Sequence, residues 1–365
     1  MHVRMNFRVD KRIVFGTAAV LLLAGIVYLA APLAQPDMKA SLQKADAAAK
    51  ANQLQTAESI LKDAISTAEK NKQNDTAELA SAYAQLGDLY RRKGKLADSI
   101  IAYKHSSDIR QNHMKPELLE LTKSLNGMGL AYVQQGKYIK AEDLLQQALS
   151  IREDNLPAGS KEIAESENNL GHLYFQSGHY PEAEALYKEA QGIYDKDPGA
   201  ESIESANVRN NLASLYFMEQ KYSQAEPLFQ QALSSFQKAG GENLDTANVV
   251  NNLGELYRAE KKYADAETQL KRAIAIYEKV NGAESPSVAN ACNNLALVYH
   301  TMGKKADAEV LYKRAMKIYD STEGGSSVAL MSVMQNYRDL LDSSGRTAEA
   351  NVIQQKMNNH IAQSK

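Results

Sequence analysis

The chain has one cysteine, no tryptophan and only six phenylalanines, against 19 tyrosines in 365 residues. A lone Cys292 excludes an internal disulfide and leaves nothing for an oxidising compartment to act on. It also lacks a histidine and acid set around it, so it reads as a packing residue rather than a nucleophile. The seven histidines show no metal-ligand spacing with one another. His172 and His179 flank a turn with no cysteine or acid at ligand spacing, so no metal or cofactor is expected. Glycine-bearing turns such as Gly136-Lys137 read as helix stops, not phosphate loops. No acid, base and metal groups converge, which argues against an enzyme. Charged residues (24%) and apolar residues (44%) are near the soluble average, which argues against disorder.

A surplus of positive charge is missing too. The net charge is −2. Setting aside Arg4, Arg8, Lys11, Arg12 and Asp10 at the N-terminus leaves a body of about −5, with no basic stripe for nucleic acid. Charge is absent altogether from Ile13 to Ala34, which includes Val20-Leu21-Leu22-Leu23 and Ile26-Val27-Tyr28-Leu29. That run is long enough to span a bilayer as a helix. The basic residues before it place residues 1–12 in the cytoplasm and the rest on the exported side of the inner membrane. The alternative is a cleaved signal peptide, cut near Ala31 or Ala34. Pro32 makes both sites poor, so an uncleaved signal anchor at 13–34 is expected.

What fills the rest is a period. Asn168-Asn169-Leu170-Gly171-His172-Leu173-Tyr174 has near-copies whose reference residues are Leu86, Met128, Leu170, Leu212, Leu253, Leu295 and Tyr337. The steps are 42, 42, 42, 41, 42 and 42 residues. Self-similarity at such a period marks stacked helical repeats. Around Leu170, apolar residues at helical spacing run to Tyr174, and Ser177-Gly178-His179 breaks the pattern. A second helix follows with Tyr180, Ala183, Leu186, Tyr187, Ala190 and Ile193. Small residues form two columns, one at Gly87, Gly129, Gly171, Ala213, Gly254 and Ala296, the other at Ser99, Ala141, Ala183, Ala225, Ala266, Ala308 and Ala350. They let paired helices approach, while Tyr90, Tyr132, Tyr174, Tyr216, Tyr257 and Tyr299 fill the groove beside them.

The spacing Leu170-Gly171-x-x-Tyr174 followed by Ala183-x-x-x-Tyr187 resembles the tetratricopeptide signature. The 42-residue period with Asn-Asn before Leu-Gly is similar to the kinesin-light-chain subtype. The resemblance is strong over residues 75–345 and implies an all-α, right-handed α-α superhelix over 37–365, after one transmembrane helix. About eight helix-turn-helix repeats are expected, near 37–74, 75–116, 117–158, 159–200, 201–241, 242–283, 284–325 and 326–365. The first and last, which depart from the pattern, read as caps.

Asparagine is an indifferent helix former, yet Asn126, Asn168, Asn169, Asn210, Asn211, Asn251, Asn252, Asn293, Asn294 and Asn336 sit inside the first helices. In proteins of similar sequence the first helices line the concave face and their asparagines hold a partner's extended backbone. An amide carries a donor and an acceptor, so it can bracket a peptide unit whatever its side chain. The leading Asn of each pair is expected to meet ligand and the trailing one to bond to the neighbouring repeat. On the same face lie Lys123, Glu165, Asn207, Asn248 and Asn290 to one side. Asp88, His172, Ser214 and Glu255 lie to the other, followed by Arg91, Phe175, Phe217, Arg258 and His300. The Lys/Asn/Arg set of chaperone-tail clamps is not reproduced, since Lys123 and Arg258 stand in distant repeats.

The expected function is therefore a membrane-anchored scaffold that binds a protein or peptide segment in the concave groove, with a membrane or envelope protein as partner. Resemblance to single-span bacterial tetratricopeptide proteins suggests envelope assembly, secretion or chaperone roles. The alternative is a homo-oligomeric spacer without a peptide ligand.

Overall fold

The computed structural model describes residues 37–363, apart from 72, 74–75, 114–117, 197–201 and 322–326. The expected anchor at 13–34 lies outside the described residues. Among those described, no helix is long and apolar enough to cross a membrane.

The described chain is all helix, arranged as eight antiparallel pairs. These are α1 Met38–Lys50 with α2 Leu54–Lys70, α3 Ala77–Arg92 with α4 Leu96–His113, and α5 Leu118–Gln134 with α6 Tyr138–Asn155. Next come α7 Lys161–Gln176 with α8 Tyr180–Asp195, α9 Ile203–Met218 with α10 Tyr222–Gly240, and α11 Leu244–Ala259 with α12 Tyr263–Asn281. The last are α13 Pro286–Thr301 with α14 Lys305–Ser321, and α15 Ser327–Asp342 with α16 Thr347–Gln363.

Local chemistry sets these limits. Thr76, Ser202 and Asn243 cap α3, α9 and α11 by accepting a backbone N–H from the first turn of each. The turn inside each pair needs one residue at positive φ. Gly94, Gly136, Gly178, Gly303 and Gly345 supply it in five pairs, and Asn52, Gln220 and Lys261 in the others. Just beyond that residue the N–H of Lys137, His179, Lys221, Lys262 or Lys304 bonds back to the carbonyl of the repeat's Tyr, closing the helix end.

The small columns meet where the helices of a pair cross. Ala57, Ala141, Ala183, Ala225, Ala266 and Ala308 are fully buried. A Cβ at Gly129 would stand 2.6 Å from Leu145 Cγ, and one at Gly254 would stand 2.5 Å from Leu270 Cγ. Close backbone approach therefore depends on the missing side chain.

Each first helix also packs against the first helix of the next pair, whereas the backbones of successive second helices stand farther apart among the described residues and are bridged by long side chains, as from Arg314 to Glu278 at 2.7 Å. The first helices are thus the inner, concave layer. The array curves far enough that Asn52 Nδ2, in the first pair's turn, donates to the Val280 carbonyl 228 residues later at 2.6 Å.

Candidate functional site

The asparagines of the inner layer form a ladder. Asn211 Nδ2 donates to Asn168 Oδ1 at 2.9 Å, Asn252 to Asn210 at 3.1 Å, Asn294 to Asn251 at 3.2 Å and Asn336 to Asn293 at 2.9 Å. The trailing Asn of each repeat is the donor and the leading Asn of the preceding repeat is the acceptor. The leading residue, expected to be free for ligand, thus gives its oxygen to the stack. The trailing residue bonds to that side chain, where a backbone partner was expected. Asn168 and Asn210, half-buried, keep their Nδ2 groups without a bond among the described residues.

One stretch of this face is hollow. A cavity of about 580 Å³ is walled by Asn168, Asn169, Asn207, Asn211, His172 and Arg91, with acids Glu162, Glu165 and Glu204 at the N-terminal ends of α7 and α9. Arg91, placed by spacing toward an end of the groove, is brought here by the curvature, although it stands two repeats before His172. Burial first, and the Arg91 charge second, push the His172 imidazole below its ordinary pKa.

The remaining sequence candidates are dispersed. Asn248 is exposed and accepts from Tyr277 OH at 2.6 Å. Asn290 is exposed without a side-chain bond among the described residues. Asn251 and Asn294 both donate to Glu255 Oε1, at 2.9 and 2.7 Å, and burial raises that carboxyl's pKa. Phe175 and Phe217 are half-buried against Tyr180 and Tyr222, with ring centroids 5.8 Å apart in both cases. Arg258 is half-buried, and its Nε has no partner.

Two features escaped the spacing argument. Arg152 is buried beneath the cavity, where it donates to Thr122 Oγ1, Ser166 Oγ and the Glu162 carbonyl and pairs with Glu165 at 2.9 Å. Its column holds Arg110 one repeat earlier and Tyr194, Phe236, Tyr277 and Tyr319 in later repeats, so two buried arginines precede a run of aromatics. The other feature was legible. A glutamate follows the small residue at 58, 142, 184, 226, 267 and 309, and from Glu142 onward it receives a tyrosine of the next repeat. Tyr174, Tyr216, Tyr257 and Tyr299 donate to Glu142, Glu184, Glu226 and Glu267 at 2.8 to 3.1 Å. Tyr337 reaches Glu309 at 2.9 Å from one turn earlier in its helix. Cationic residues complete these clamps. Lys271 and Lys304 flank Glu267, and Lys62 and Lys93 flank Glu58, holding both carboxyls down at about 2.

Cys292 is fully buried in the core, and burial pushes its thiol up to about 11, which makes it inert. Among the described residues no group of three or more potential ligands could hold a metal ion.

A family model for the tetratricopeptide repeat matches residues 78–154, 162–238 and 245–321. A comparison with curated proteins finds no match. Among solved structures, the chain is similar to BtubC (BKLC) from P. vanneervenii, with 27% identity and a TM-score of 0.53, covering 62% of this chain and 91% of that one. It is also similar to the apo quorum sensor NprR from B. thuringiensis, with 15% identity and a TM-score of 0.67 over 96% of this chain and 95% of that one. A Rap protein complexed with Competence and Sporulation Factor gives 15% identity and a TM-score of 0.58 over 90% of this chain and 98% of that one. The last two likenesses concern the fold alone. The three matched stretches span more than half of the residues, and the chain belongs to the tetratricopeptide-repeat family.

Proposed function

We propose that the chain is a non-enzymatic scaffold of the kinesin-light-chain-like subtype, anchored in the inner membrane by residues 13–34, whose concave face holds an extended segment of an envelope protein. The observation that carries the reading is the cavity on the inner layer, where Asn168, Asn169, Asn207 and Asn211 present side-chain amides to one hollow. Amides side by side can meet the alternating N–H and C=O of an extended chain without selecting its side chains. The 42-residue period and the 27% identity to BtubC (BKLC) support the subtype. The uncharged run at 13–34 behind four basic residues supports the anchor and its orientation. Only Gln35 and Pro36 separate that anchor from Asp37, which puts the array beside the bilayer, where membrane and envelope proteins are its neighbours.

A photoreactive residue at Asn207, in native membranes, should give an adduct that is missing when the same residue replaces Ile139, which is 87% exposed on the outer layer. Equal adducts from both positions, or adducts only with a second copy of the chain, overturn the groove reading. The second result favours a homo-oligomeric spacer.

A further inference from the structure

The ladder has five places for a rung among the described residues, and four are closed. The fifth, from Asn169 to Asn126, is open. Asn126 is buried, its Nδ2 donates to Ser166 Oγ at the long distance of 3.4 Å, and its Oδ1 has no partner. Asn169 is half-buried, makes no side-chain hydrogen bond among the described residues, and lines the cavity.

The cause is one residue. Ser166 shares its column with one other hydroxyl, Ser124, which bonds to Ser106 and faces no ladder asparagine because residue 84 is Ala84; the equivalent positions in later repeats are Val208, Val249, Ala291 and Val333, all buried. Where that position is apolar, the oxygen of the leading Asn accepts from the trailing Asn of the next repeat. Where it is Ser166, held in place by Arg152 at 2.9 Å, Asn126 turns to the hydroxyl and the rung is lost. Rotating the Asn126 amide by half a turn does not repair this, because one polar atom then still faces the gap unmet. An unmet buried acceptor beside an unbonded donor is the complement of a secondary amide.

We propose that this open rung is where the groove takes hold of its ligand, with one backbone peptide unit of an extended segment completing the ladder. The unit's C=O accepts from Asn169 Nδ2 and its N–H donates to Asn126 Oδ1. Asn169, tethered by no bond, swings aside to admit it. The uncharged amides of Asn168, Asn207 and Asn211 line the approach, so recognition at this unit is by backbone rather than by side chain. The proposal rests on the peptide-binding reading above and narrows it to one register of the groove.

The test uses the full chain in detergent and a peptide selected on it from a phage-displayed random library. Asn169→Ala should leave the melting temperature unchanged, because no bond is lost, whereas Asn252→Ala, which removes a closed rung, should lower it. Asn169→Ala and Asn169→Asp should each weaken peptide binding by about tenfold or more, the loss of one amide bond with its partner left buried. Replacing the peptide's backbone N–H by an ester oxygen, position by position, should weaken binding at one position by a similar factor. The penalties of that ester and of Asn169→Ala should not add. If Asn169→Ala melts as low as Asn252→Ala, the protein closes the rung itself and the proposal fails. If the peptide binds and ignores Asn169→Ala and the ester, the groove reading stands and this site is wrong. A library that yields no binder removes both.

Discussion

Exchanging Gly254 for alanine tests whether the paired helices are held at a distance that only glycine permits. The new Cβ would lie 2.5 Å from Leu270 Cγ and 2.8 Å from its Cδ2, on a side chain with no exposure at all. Carbon contacts are comfortable near 3.5–4.0 Å, so α11 and α12 must separate by about 1 Å or Leu270 must leave its rotamer. Overpacking of this kind costs about 1–3 kcal/mol, offset by up to about 1 kcal/mol from the better helix propensity of alanine. Gly171→Ala is the control. There the Cβ meets the edge of the Tyr187 ring at 2.8 Å. A flat ring can tilt away, as shown by Ala213 and Ala296, which occupy the same register opposite Phe229 and Tyr312. Gly171→Ala should therefore be neutral or mildly stabilising and Gly254→Ala destabilising. Thermal unfolding by circular dichroism gives the overall effect, and hydrogen exchange of the α11 and α12 amides localises it, since repeat arrays open locally. In a Leu270→Ala background the sign should reverse, because the methyl then fills a void. If Gly254→Ala melts at or above the parent with Leu270 intact, the close-approach reasoning is refuted.

Acidity should act in two directions. Glu58, Glu267 and Glu309 are held at about 2 by their cationic partners, so their contribution is intact above the ordinary carboxylate range and lost as pH falls toward 2. Glu167 is the reverse case. Burial, with Glu189 and Glu153 nearby, pushes it up to about 7, so stability drains as pH rises from about 4.5 through 7. Glu167→Gln should flatten the upper limb of a melting-temperature profile and leave the acid limb in place. An unchanged upper limb would count against the burial argument. Tyr257→Phe removes the bond to Glu226 and should cost about 0.5–1.5 kcal/mol, read as a lower urea midpoint. Asn251→Ala, which strips one donor from half-buried Glu255 and the acceptor from Asn294, should cost about 1–3 kcal/mol in the same assay, in contrast to Asn169→Ala. Melting left untouched by Asn251→Ala would show that its rung carries no load.

Much of this molecule is written in periodicity. The 42-residue step, the two small columns and the tyrosine column identify the helix pairs, their order and the residues at their crossing, because each repeat solves the same local packing problem. The glutamate clamp was equally periodic, and noticing it needed only one more column. What the sequence alone could not determine is where a column's exception acts on its neighbours. Whether an asparagine closes a rung of the ladder depends on a side chain in the next repeat, 40 residues from Asn126 in the case of Ser166. Curvature is likewise a sum of small rotations at every interface, so only the assembled array brings Arg91 to His172 and Asn52 to Val280. Spacing determined which residues share a face, and tertiary structure decided which of them still lack a partner.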